Sequence, residues 1–144
     1  MEGVNYNQAV YDYVEQYPQL ASWLYFNTIN MAPYNASMIT GTDTMLKEFI
    51  DGSQQRQYVC QIAFMREYDT GTSDVNMLAM NEAQNFNRWI EEQDNKRIYP
   101  VFGENDIIEK IEGTTQIPEM SVDTNSSIAR YTMSIRITYR KEVE

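Results

Sequence analysis

The sequence predicts an α+β domain: a mixed, mainly antiparallel sheet flanked by two helices and finished by a long C-terminal β-hairpin. Three observations predict it. Residues 128–140 alternate without a break, with Ala129, Tyr131, Met133, Ile135, Ile137 and Tyr139 on one face and Arg130, Thr132, Ser134, Arg136, Thr138 and Arg140 on the other. Only a period of two does this. Residues 4–17 and 75–90 instead repeat their apolar side chains at three- and four-residue spacing, the helical period. Asp51-Gly52 then separates two strand-like runs, where glycine supplies the positive φ of a tight turn.

In order, the first helix rests on Tyr6, Ala9, Val10, Tyr13, Val14 and Tyr17, and Pro18 ends it, because the residue before a proline is pushed out of the helical region. Its tyrosine-rich stripe reads either as a core face whose hydroxyls reach water or as an interface helix. Residues 20–26 form an aromatic run, a short strand or turn. Residues 27–44 hold Pro33, Gly41 and several Asn, Ser and Thr, and read as a loop with one short strand near 37–40. Met31, Tyr34, Met38 and Met45 make that stretch sticky, so it folds back on the domain or meets a neighbour.

Residues 45–50 and 56–66 are the two arms of a hairpin, with Tyr58, Cys60, Ile62 and Phe64 on one face of the second arm. A polar connection follows, in which Ser73 or Asp74 caps the second helix. That helix runs to about residue 94, with Val75, Ala79, Ala83, Phe86 and Ile90 as its stripe, Trp89 beside them, and Glu82, Arg88, Glu91 and Glu92 toward solvent. Pro100 and Gly103 punctuate a short crossing segment. Ile107, Ile111, Thr115 and Ile117 mark a penultimate strand, and the polar residues 118–127 connect it to the last one. Two long strands joined this way can project beyond the core.

Composition narrows the function. The 144 residues carry a formal net charge of -10 and no histidine. One domain spanning 1–144 is expected, long enough to bury roughly two-thirds of its unfolded surface. The negative charge argues against a general nucleic-acid binder. The lack of histidine removes the commonest general base and metal ligand, and with them Ser/His, Cys/His and Cys/His-zinc chemistry. No run of about 18 apolar residues suggests a membrane span, so a soluble protein made in the cytosol is expected. The single cysteine, Cys60, excludes an internal disulfide and reads as a buried small hydrophobe. Asp69 to Asp74 is oxygen-rich but lacks the alternating acids and closing glutamate of a calcium loop. No catalytic residue, cofactor or metal is expected, and the chain does not read as an enzyme.

The arginine face of the last strand is the leading candidate site. Arg130, Arg136 and Arg140 either pair with acidic surface on an identical neighbour or lie on the solvated outer face of an antiparallel sheet. Asp51 and Gly52, at the hairpin tip, are candidates for touching the same neighbour.

Four segments carry a resemblance: Phe49-Ile-Asp-Gly-Ser-Gln-Gln-Arg-Gln-Tyr58, Arg66-Glu-Tyr68, Phe86-Asn-Arg-Trp-Ile-Glu-Glu-Gln-Asp-Asn95 and Ile128-Ala-Arg-Tyr-Thr-Met-Ser-Ile-Arg-Ile-Thr-Tyr139. In this order and spacing the chain resembles the minor capsid or tail terminator proteins of the head-tail morphogenesis modules of long-tailed phages and prophages of Firmicutes. It departs from that pattern at residues 117–123, just before the last strand. The resemblance implies a structural virion protein at the head-proximal end of the tail, assembled in the host cytoplasm. Its partners would be its own copies as a homohexameric ring, the tail tube protein and the head-tail connector protein. DNA would pass through the lumen only as cargo. Alternatives are a connector or tail tube component, or a cytosolic ligand-binding α+β domain.

Overall fold

The computed structural model describes residues 5–18, 20, 24–27, 35–68, 74–114, 119–123 and 127–143. Helix α1 is Tyr6–Val14 and helix α2 is Asp74–Asn95; the strands are β1 Leu24–Phe26, β2 Ala36–Glu48, β3 Gln54–Glu67, β4 Asp106–Gly113, β5 Glu119–Asp123 and β6 Ile128–Lys141. They form one six-stranded sheet in the order β1-β2-β3-β6-β4, with β5 also on β6. Every pairing is antiparallel except that of β1 with β2. This is the α+β class expected, with a mixed, mainly antiparallel sheet and a closing β5–β6 hairpin.

The last strand is the centre of the sheet. Its register with β3 runs unbroken from Gln54↔Lys141 to Glu67↔Ile128, which sets Tyr58, Cys60, Ile62 and Phe64 beside Ile137, Ile135, Met133 and Tyr131. All eight are buried, together with Ala129 and Tyr139, so the face assignment holds along the strand. Both helices lie on that face. Val10, Tyr13 and Val14 of α1 and Ala79, Ala83, Phe86 and Ile90 of α2 are buried in the same cluster. The alanines let α2 lie close to the strands, and an aromatic seam closes the gap, with Phe86 5.4 Å from Phe64 and 5.1 Å from Tyr17. Such edge-on pairs add to the burial of their rings.

The tyrosines of α1 face the core, and acceptors of the same chain take several of their hydroxyls. Tyr13 donates to the Ile98 carbonyl at 2.7 Å and Tyr6 to Asp106 Oδ2 at 3.0 Å. Asn5 caps the helix, its Oδ1 accepting from the Gln8 amide at 3.0 Å.

Three expectations are corrected. The loop expected over 27–44 is, from Ala36 on, part of the 13-residue strand β2. Bulges between Ile39 and Thr42 and between Met45 and Lys47 break its alternation and hide it from a period-two reading. Gly41 there marks close approach, since a Cβ on it would lie 1.1 Å from the Val59 carbonyl oxygen. The connection expected over 118–127 contains β5, so β4 and β5 together form one interrupted edge along β6. The C-terminal strands therefore do not project beyond the core, because a central strand needs a partner on each side. Glu82, expected in solvent, accepts from the buried Arg66. The cap at Ser73, the oxygen-rich stretch 69–73, and Thr115 and Ile117 fall outside the described residues.

Candidate functional site

The outer face of β6 carries the three candidate arginines, and the structure gives each a different environment. Arg136 stands opposite Glu112 in the β4–β6 register. Its Nε donates to Glu112 Oε1 at 2.8 Å and its Nη2 reaches the same oxygen. Arg140 sits at the end of the sheet, its guanidinium 4.7 Å above the Phe49 ring. Its Nη2 donates to Ser53 Oγ at 3.0 Å and lies 3.9 Å from Asp51 Oδ2, while its Nε is 3.3 Å from Glu142. Arg130, ten residues back along the strand and so about 34 Å away, lies beside Met65 and Ser121 in the register. Its Nε is buried with no hydrogen-bond acceptor among the described residues.

The hairpin tip is built by its own turn. Asp51 Oδ1 accepts from the Ser53 hydroxyl at 2.6 Å and its amide at 2.9 Å, and these bonds hold its carboxyl below the ordinary range, with Arg140 adding to the effect. Gly52 has φ +90°, a conformation glycine takes at no steric cost. The five candidates therefore do not form one site. Arg140, Asp51 and Gly52 come together, with Ser53 and Phe49, at one end of the sheet; Arg136 lies partway along it; Arg130 is at the other end. Arg136 and Arg140 meet carboxylates of their own chain.

The structure adds a polar chain that sequence patterning did not reveal. Arg56 lies 3.4 Å from Asp43, Asp43 accepts from the Tyr139 hydroxyl at 2.7 Å, and Lys141 is 3.9 Å from Asp106, the acceptor for Tyr6. These residues come from α1, β2, β3, β4 and β6, and period alone carries no signal for contacts between distant strands. A second missed feature did leave a signal. Ile50 at the tip is 108% exposed, and Met45, Leu46 and Val143 nearby are 49%, 50% and 54% exposed. Apolar residues flanking a turn that would ordinarily be polar are visible in the sequence itself.

Burial pushes the Cys60 thiol up to about 12, which keeps it protonated at neutral pH and poor as a nucleophile. Among the described residues no three His, Cys, Asp or Glu side chains come close enough to hold a metal ion, and no helix is long and apolar enough to cross a membrane. Comparison with models of known protein families and with curated proteins finds no match to this chain.

Proposed function

We propose that the chain is a structural protein of a phage tail: a terminator that closes the tail tube as a ring of its own copies, a hexamer by the resemblance, and joins it to the head connector. The observation that carries this reading is the end of the sheet at the β2–β3 turn. There the resembling segments Phe49–Tyr58 and Ile128–Tyr139 lie side by side, finished by the contact of Arg140 with Phe49, Asp51 and Ser53. A sheet end that presents side chains in this way is suited to meeting other proteins. The net charge of -10 suits a lumen through which DNA slides, because like charge repels phosphate.

The test is electron microscopy of the cognate tail tube protein polymerised with and without this chain. Tubes of limited length bearing a ring at one end are expected. Tube lengths that ignore the chain would move the assignment to a connector or to a ligand-binding domain, and long fibres of the chain alone would make it a tube protein.

A further inference from the structure

A cleft of about 310 Å³ opens beside the start of α1, at the small end of the range that ligand sites occupy. Among the described residues it is lined by Asn5, Asn7, Gln8, Tyr11 and Phe26, three side-chain amides and two aromatic rings with no charge among them. Each amide is oriented by a bond at one end. Asn5 Oδ1 accepts from the Gln8 backbone amide at 3.0 Å, Asn7 Oδ1 accepts from the Tyr58 hydroxyl at 2.6 Å, and Gln8 Nε2 donates to Asp12 Oδ1 at 2.7 Å. No bond to a described residue takes the other ends, Asn5 Nδ2, Asn7 Nδ2 and Gln8 Oε1.

The aromatic wall is fixed as well. The Tyr11 hydroxyl donates to the Leu24 carbonyl at 2.7 Å, and its ring stands edge-on to Phe26 with the centroids 6.3 Å apart. Phe26 itself is 40% exposed.

This lining selects a ligand by its chemistry. The lack of charge disfavours an ion. Two amide donors beside an amide acceptor suit groups that both accept and donate, as hydroxyls do, and an exposed ring offers an apolar face to C–H groups. A sugar ring carries both, with hydroxyls around its rim and C–H groups on its faces. A peptide strand fits less well, because the Leu24 carbonyl on the edge strand β1 already accepts from Tyr11.

We infer that this cleft binds a neutral saccharide, with Asn5 and Asn7 donating to its hydroxyl oxygens, Gln8 Oε1 accepting from a hydroxyl, and Phe26 lying against a C–H face. Such binding is independent of ring formation.

NMR titration of the full chain with the neutral methyl glycosides of glucose, galactose and N-acetylglucosamine tests it. At least one should bind with a Kd of about 1 to 10 mM, shifting the side-chain amide signals of Asn5, Asn7 and Gln8 and the ring signals of Phe26. Asn7→Asp keeps an oxygen for Tyr58 to donate to and removes the amide donor, while Phe26→Leu keeps an apolar side chain and removes the ring. Each should weaken binding about tenfold with the melting temperature unchanged. Binding as tight as wild type in either variant overturns the inference. So do shifts confined to the second cleft, between α2 and β4, and an absence of shifts with all three sugars about tenfold above that Kd. N-acetylalanine methylamide is titrated in parallel; shifts from it without any from the sugars would make this a peptide site and overturn the saccharide. Should a variant melt lower, the residues shifted in wild type decide.

Discussion

Arg66 shows how one side chain constrains its surroundings. It is 5% exposed, its Nε donates to Glu82, its Nη1 donates to the Met65 carbonyl at 2.8 Å, and its guanidinium lies 5.3 Å from the Phe64 ring. A cation taken this far out of water is stabilised by its anion, and removing Glu82 takes away the carboxylate acceptor of its Nε. Glu82 is 35% exposed on its side chain, so solvent screens part of the attraction. Glu82→Ala should therefore lower unfolding free energy by about 2 kcal/mol, within the range for hydrogen bonds to charged groups. Arg66→Met, which removes the buried charge and keeps an apolar stem, should cost less. Urea midpoints of the two variants check the order. The reverse order would show that packing of the arginine stem, and not its charge, holds α2 at this end of β3.

At the scale of elements, α1 is fastened to the sheet by buried tyrosines, and this predicts an alkaline limit to stability. Burial raises the pKa of Tyr13, Tyr58 and Tyr139 well above the ordinary value, and pushes Tyr17 up to about 12. In the unfolded chain a tyrosine ionises near pH 10. Above that pH the folded state holds more protons than the unfolded state, so stability present in full below pH ~10 is lost as pH rises toward 12 and beyond. The slope is about 1.4 kcal/mol per pH unit for each tyrosine kept protonated. Urea unfolding followed across this range should show a shallow dependence below pH ~9 and a steep fall above pH ~10, with the phenolate absorbance of the buried tyrosines appearing at the unfolding transition; Tyr139→Phe should flatten the fall by about one tyrosine. Phenolate absorbance reaching its full extent while the protein stays folded would contradict it. The same element shows what the sequence could reveal. The helices and the faces of β3 and β6 were legible because each follows a single period over many residues. Strand β2 was not, since its two bulges shift the register twice and Gly41 reads as a loop residue when seen without Val59 across from it. Strand β5 was hidden by its shortness and polarity, because it is held mainly by backbone pairing with β6.

Across the whole molecule, the candidate surface was legible only in part. The alternation of β6 placed the three arginines on one face, but it could not show that Glu112, Asp51 and Glu142 of the same chain lie beside Arg136 and Arg140, because those partners come from other elements. This changes what should hold copies of the chain together. If arginine pairs between chains dominated, salt would weaken assembly by screening attractions over about 10 Å at 0.1 M. With those arginines engaged internally, the main long-range term between copies in the proposed ring is the mutual repulsion of chains carrying net charge -10 each. Raising salt screens that repulsion and leaves apolar burial intact. If the proposed ring forms, oligomer mass measured by light scattering should therefore increase between about 0.05 and 0.5 M sodium chloride. A fall in mass over the same range would point to the arginine face, and Arg130, whose Nε has no acceptor among the described residues, would be the first residue to replace.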